Sequence, residues 1–307
     1  MQKKPISGRL HGAAQKSKHE LYPSLTMWQR GLRRLRRDRP TMAAIFTVLA
    51  FAVISLLAPL VSAALNVDPN EIDVTNNYAP LFSEGHLLGT DELGRDHLSR
   101  LLYGGQVSLG IAFSAALLSL AIGLPIGVFA GYYGGKLDDF INWFIITLNS
   151  IPFLYLLAII SALLSPLPLT FVVILGTLGW TGTTRLVRAE TYSLKQREFV
   201  IAAQALGASK LRLMFQHIVP NIFSLLIVSL ALAMGSLILT ESALSFIGFG
   251  IKAPTPTWGN MLSGGFDYMR RAPHLLVLPG MLIAITVFCF YLIGDGLRDA
   301  FDPKISD

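Results

Sequence analysis

Charge is scarce in this sequence. Asp, Glu, Lys and Arg make up 14% of its 307 residues, against about 25% in soluble domains. Cysteine is scarcer: Cys289 stands alone in an apolar run, so no disulfide closes within the chain and the thiol reads as buried and structural. There is no Gly-x-x-x-x-Gly-Lys-Ser/Thr loop, no His-Glu-x-x-His pair and no nucleophile motif. The chain therefore neither binds ATP by a known motif nor carries catalytic equipment, and no cofactor or metal is expected of it. His86, Asp91 and His97 match no metal-ligand spacing and read as loop residues. Within the apolar runs Glu241 is the one ionisable group, with Asp295 at an edge. An ion-coupled secondary transporter or channel, the alternative from another class, usually needs more such groups near the midplane and often an inverted repeat. The net charge of +6 is spread as a membrane protein spreads it, not as a nucleic-acid binder does.

What is present is apolar. Hydrophobic residues make up 52% of the chain and the mean hydropathy is +0.55, which predicts an all-α integral membrane protein. Residues 1–40 are a polar tail holding 11 of the 25 Lys and Arg. Within it Trp28, Leu32 and Leu35 line one face of a basic amphipathic helix, suited to an anionic membrane surface and equally to a topology-fixing flank. Residues 41–64 are the first span, too long and too late in the chain for a signal-peptide core. Residues 65–103 form a polar extracytoplasmic loop with seven acidic residues. Residues 104–296 hold the transmembrane core: spans at 104–133, 140–164 (interrupted at Asn149-Ser150-Ile151-Pro152), 169–184, 221–247 and 274–294, followed by a tail at 297–307. Gly123, Gly127, Gly131 and Gly135 recur every fourth residue, a stripe that lets helices pack closely in lipid. The count is six spans. Twenty Lys and Arg flank one side and five the other, which puts both termini and the 193–221 loop in the cytoplasm.

That loop is the one long polar segment between apolar runs in the second half. Ser193 with Gln196 reads as a capping box, Gly207 as a left-handed stop, Ser209 as a second cap and Pro220 as the opening of the next span. A helix–turn–helix in water results, with small Ala202 and Ala203 near its tip. Ala202-Ala203, Gly207 and Pro220 resemble the EAA loop of ABC importer permeases, with Ile201, His217 and Val219 where Glu, Ile and Leu are usual. The run from Gly89-Thr-Asp through Gly94-Arg-Asp96, the stretch Thr240 to Met261 and the closing Asp295-Gly-Leu-Arg-Asp-Ala-Phe-Asp-Pro303 resemble the oligopeptide, dipeptide and nickel branch of that family, second permease type.

The resemblance implies a type I, methionine-importer-like permease fold of about six transmembrane helices with a cytoplasmic coupling helix. It implies the permease subunit of a binding-protein-dependent, ATP-driven importer in the cell membrane of a prokaryote. The cargo would be di- or oligopeptides, or alternatively nickel or another small solute. Partners would be a second homologous permease, two ABC ATPase subunits that bind the ATP and Mg, an extracytoplasmic solute-binding protein and the lipid bilayer. Glu198, Ala202, Ala203, Gly207, Ser209 and Pro220 would serve ATPase coupling. Asn149, Ser150, Ser236 and Glu241 are candidates for the translocation pathway, Glu241 being weighed equally as an interface anchor.

Overall fold

The computed structural model describes residues 27–164 and 167–301. Most of the basic tail, Ser165–Pro166 of the expected tight connection, the end of the closing motif and the Trp28 side chain lie outside the described residues. Helix α1 (Met27–Arg37) is followed by α2 (Arg39–Leu56) and α3 (Ala58–Leu65). The expected first span is thus two helices meeting at Leu57. Pro59, in the first turn of α3, has no N–H to continue α2.

Helix α4 (His97–Tyr133) starts earlier than expected, because Asp96 caps it: its Oδ1 accepts from the Ser99 amide at 2.7 Å. Helices α5 (Gly135–Asn149) and α6 (Phe153–Leu163) meet at 75° around Pro152. Helix α7 (Pro168–Lys195) follows. After the projecting loop come α10 (Val219–Phe246), the short α11 (Gly265–Arg271) and α12 (His274–Phe301). By length and composition α2, α4, α10 with its preceding turn, and α12 could cross a membrane, with the α5–α6 pair as a fifth span. The remaining expected span, 169–184, is the first half of α7, diluted by glycines and threonines.

Packing shows that α7 traverses the same layer as α4. A Cβ on Gly123 would meet Thr183 and the Trp180 carbonyl, one on Gly127 would meet Val187 and the Thr184 carbonyl, and one on Gly131 would meet Thr191 and the Arg188 carbonyl. Residue numbers rise together along both helices, so they run parallel, and the chain must return between them through α5 and α6. The stripe stops at Gly131: Gly135 has φ +55° at the start of α5 and nothing near its Cβ position. Helix α10 runs back against α4. Gly235 faces Phe290 and Gly294 faces Leu232, so α12 descends beside α10. Thr41 of α2 fits against Gly296, and Gly31 of α1 against the Phe301 ring. The two ends of the described chain therefore lie side by side on one face of the bundle.

The parallel contact yields a test. Gly127→Leu puts a side chain 2.7 Å from Val187 Cβ and 2.8 Å from a backbone oxygen. Overpacking costs about 1–3 kcal/mol, and a fixed carbonyl places this site at the upper end. Gly110→Leu, on the same helix with open space at its Cβ position, should leave the thermal unfolding midpoint in detergent unchanged, while Gly127→Leu lowers it by several degrees. Equal midpoints would remove the stripe as the basis of the α4–α7 contact.

Candidate functional site

The projecting loop is built around one glycine. Helix α8 (Glu198–Ala205) ends where Gly207 turns left-handed at φ +85°. The Gly207 amide donates to the Gln204 carbonyl at 3.0 Å and the Ala208 amide to the Ala203 carbonyl at 3.1 Å, the two bonds of a Schellman stop. Ser209 then caps the single turn α9 (Lys210–Arg212) through the Arg212 amide. The start of α8 differs from the expected capping box. Ser193 lies inside α7, which continues to Lys195, and Arg197 occupies the cap position without a side-chain bond. Lys195 explains the longer helix: its Nζ donates to the Tyr132 carbonyl at 2.7 Å and lies over the Tyr132 ring, tying the ends of α4 and α7 together.

Residues Leu213–Ile218 form a wide π-helical turn leading into α10. Pro220 follows it. Proline has no N–H for the carbonyl four residues back and presses on it in a regular α-helix, and a wider turn relieves both. Asn221 Nδ2 donates to the His217 carbonyl at 2.6 Å. Sequence periodicity carries no signal for this turn.

The loop has an anchored face and a free face. Val200, Leu213, Met214 and Ile218 are buried in one cluster with Val128, Val187 and Ile222 of α4, α7 and α10. Ala203 packs against that cluster, whereas Ala202 is exposed. Ile201 is 54%, Phe215 50% and Leu206 90% exposed, an apolar crown around the Gly207 turn. Glu198 lies exposed at the first turn of α8 and, with Arg197, Phe199 and Pro220, lines an open cleft of roughly 1160 Å³ that reaches Phe301. The structure thus gathers Glu198, Ala202, Ala203, Gly207, Ser209 and Pro220 into one projecting unit.

At the opposite end the glycine-rich motif folds into a knot of charge. Asp91 Oδ1 accepts from the amides of Leu93 and Arg95, and Oδ2 takes Arg95 Nε at 2.7 Å and Arg100 Nε at 3.4 Å. Glu92 accepts from Arg95 Nη2 and from the Tyr268 hydroxyl. Burial, and then this bond to Glu92, push the Tyr268 hydroxyl well above its ordinary range.

Glu241 is fully buried, which separates it from the other pathway candidates. Its Oε1 accepts from Ser245 Oγ at 2.7 Å and its Oε2 from Ser108 Oγ at 3.4 Å. Ser108 Oγ in turn accepts from the Trp258 amide at 3.1 Å, and Trp258 Nε1 donates to the Leu101 carbonyl at 2.9 Å. Gly104, Gly105 and Gly259 leave the room that this docking needs. Glu241 therefore joins α10 to α4 and to the 251–262 loop. Asn149 and Ser150 are exposed at the α5–α6 bend, Asn149 sharing a 3.5 Å bond with Thr181, and Ser236 is exposed on α10. Among the described residues no hydrogen bond joins any two of these four. Local sequence pattern does not mark Ser108, Trp258 or Asn260 as site residues. Asn260 organises the loop by donating to the Ile251 and Thr255 carbonyls and accepting from the Thr257 amide.

Comparison with known proteins adds to this geometry. Residues 123–307 match the family described as binding-protein-dependent transport system inner membrane component, and residues 26–80 match the N-terminal transmembrane domain of oligopeptide transport permease C. The oligopeptide transport system permease protein OppC of Escherichia coli strain K12 is 38% identical over 279 residues, 91% of this chain and 92% of that protein. The OppC protein of Haemophilus influenzae is 36% identical over 91% of this chain and 89% of its own length. The dipeptide transport system permease protein DppC of Alkalihalophilus pseudofirmus is 34% identical over 92% of each. Among solved structures, a chain of the MetNI methionine ABC transporter in inward-facing conformation aligns with a TM-score of 0.51 at 18% identity, covering 67% of this chain and 97% of that one. That likeness shows the fold.

Glu241→Ala removes the acceptor for two buried hydroxyls, and an unsatisfied buried polar group costs about 1–3 kcal/mol. The expected outcome is a lower unfolding midpoint together with faster proteolysis within residues 251–262. Glu241→Gln keeps an acceptor of the same shape and should restore most of the loss. An alanine variant as stable and as protease-resistant as the parent would show that the carboxylate does not hold the loop.

Proposed function

The chain belongs to the family of binding-protein-dependent transport system inner membrane components, and from that premise we propose how it works within a peptide importer. It is a multi-pass membrane permease of the oligopeptide and dipeptide group and a non-catalytic component of its transporter. The observation that carries the coupling mechanism is the projecting loop. An apolar crown on a rigidly stopped two-helix unit is a surface made for a partner.

In this reading two ABC ATPase subunits bind the ATP and Mg, and one receives α8 in a groove. A second homologous permease completes the membrane pathway, and an extracytoplasmic binding protein delivers the peptide. Closure of the ATPase pair moves both coupling loops together, and the spans rock from inward-facing to outward-facing. The loop face, with both chain ends, is cytoplasmic, which the twenty-to-five split of basic residues supports.

Two measurements test this. For orientation, a cysteine at exposed Asn77 should react with an impermeant thiol reagent from outside and one at exposed Gln196 should not; native Cys289 is buried. The opposite labelling pattern would invert the topology. For coupling, Ala202 is the decisive position, because Ala203 is partly occupied with the permease's own core. Ala202→Asp places a charge on the docking surface while facing no internal neighbour. Losing about 1.4 kcal/mol weakens docking tenfold. Recovery of ATPase subunits in a detergent pull-down should fall at least about that much and uptake should cease, with membrane insertion normal. Full uptake with full ATPase recovery would refute docking through α8.

A further inference from the structure

We propose that the cavity at the far end of the bundle is a carboxylate site that takes the C-terminal end of the transported peptide. The cavity measures roughly 280 Å³ and lies between the first turn of α4, the loop after α10, and α11. Asp91, Glu92, Arg95, His97, Arg100 and Lys252 supply its polar lining. Three of these are cations and two are carboxylates, so one positive charge is left over.

The bookkeeping of bonds is more specific than that of charge. Both carboxylates are already engaged, Asp91 by two amides and two guanidinium groups and Glu92 by Arg95 and Tyr268. The cations are not saturated. Arg95 Nη1 and Arg100 Nη2 have no acceptor among the described residues, although the two side chains are only 9% and 6% exposed. Lys252 is exposed and forms no ion pair among the described residues. His97 is only 2% exposed and its Nε2 has no partner among the described residues. Buried polar groups are normally satisfied, and His97 Nε2 is the buried exception on this cavity; the free guanidinium nitrogens and Lys252 beside it give the lining more donors than acceptors.

A carboxylate suits these donors. Guanidinium groups bind it through paired charge-assisted bonds. The volume is at the lower end for small-molecule sites, enough for a chain terminus with its last residue or two. A terminal carboxylate is ionised at neutral pH whatever the peptide's sequence, so such a site would hold many peptides in one orientation. The proposal rests on the peptide reading above.

The test uses the full-length chain purified in detergent, without a binding protein, and trialanine, trialanine amide and inorganic phosphate as probes. Equilibrium binding should favour trialanine over its amide by about tenfold or more, the scale of one charge-assisted pair. Lys252→Gln should weaken trialanine severalfold and leave the amide unmoved. Equal binding of acid and amide, no binding of either, phosphate bound more tightly than trialanine, or a Lys252→Gln variant that binds like the parent would each overturn the site. Uptake of trialanine by the reconstituted importer separates the two levels. Transport without acid–amide discrimination by the purified chain refutes this site alone, whereas an importer that moves no peptide refutes the peptide reading.

Discussion

How closely two backbones can approach decides the architecture of this bundle. In lipid, helices gain nothing by hiding apolar surface from water, so packing contacts must hold them together. Gly123, Gly127 and Gly131 let α4 lie directly on α7, where carbonyls of Trp180, Thr184 and Arg188 occupy the space of the missing side chains. Thr184 Oγ1 adds a bond to the Gly123 carbonyl at 3.2 Å. Because the two helices are parallel, the intervening chain has to cross back, and the 75° bend at Pro152 belongs to that return. Because the stripe runs to the ends of both helices, Tyr132 and Lys195 finish side by side and form the platform on which the projecting loop stands.

Much of this was legible as pattern, and the failures have identifiable causes. The four-residue glycine period is visible in the sequence because residues four apart lie on the same helix face. Gly135 shares the period but not the role, since Gly134 and Gly135 both adopt positive φ and end the helix first. The Gly207 stop and the Ser209 cap depend on local backbone chemistry and were readable for that reason. The Ser193 capping box was equally good locally, yet Lys195 reaching Tyr132 extended α7 through it. That contact spans 63 residues in sequence, beyond any local rule. The span at 169–184 is legible as an apolar stretch, but only its parallel partner α4 shows that it crosses the layer.

The outer motifs illustrate a different limit. The strings around Gly89 to Asp96 and Thr240 to Met261 stood out as family-like, but a string does not reveal which of its members meet. In the fold they converge: Asp91 and Glu92 gather Arg95, Arg100 and Tyr268, and Glu241 reaches Trp258 through Ser108. Glu241 reads equally as a pathway residue or an interface anchor in the sequence, because a carboxylate in an apolar run is costly. The structure offsets that cost with hydroxyl donors from two helices, in the manner of a joint.

A transporter driven from one face must carry motion to the other, and the packing indicates how. The buried cluster of Val128, Val187, Val200, Met214, Ile218 and Ile222 joins α8 to α4, α7 and α10 on the side away from the open cleft at Glu198. The wide turn before α10 is the one departure from α-helical geometry there, and its Leu213, Met214 and Ile218 are all buried, which fixes its register. Helix α10 then runs from Val219 to the Glu241 joint, about 33 Å at the standard rise. On the proposed coupling mechanism a push on α8 meets this shared apolar cluster directly. On that mechanism it passes to α4, α7 and α10 together. Coupling on this scheme needs no chain of switching side chains; it needs only that both ends of α10 stay locked, which the apolar cluster does at one end and the buried carboxylate at the other.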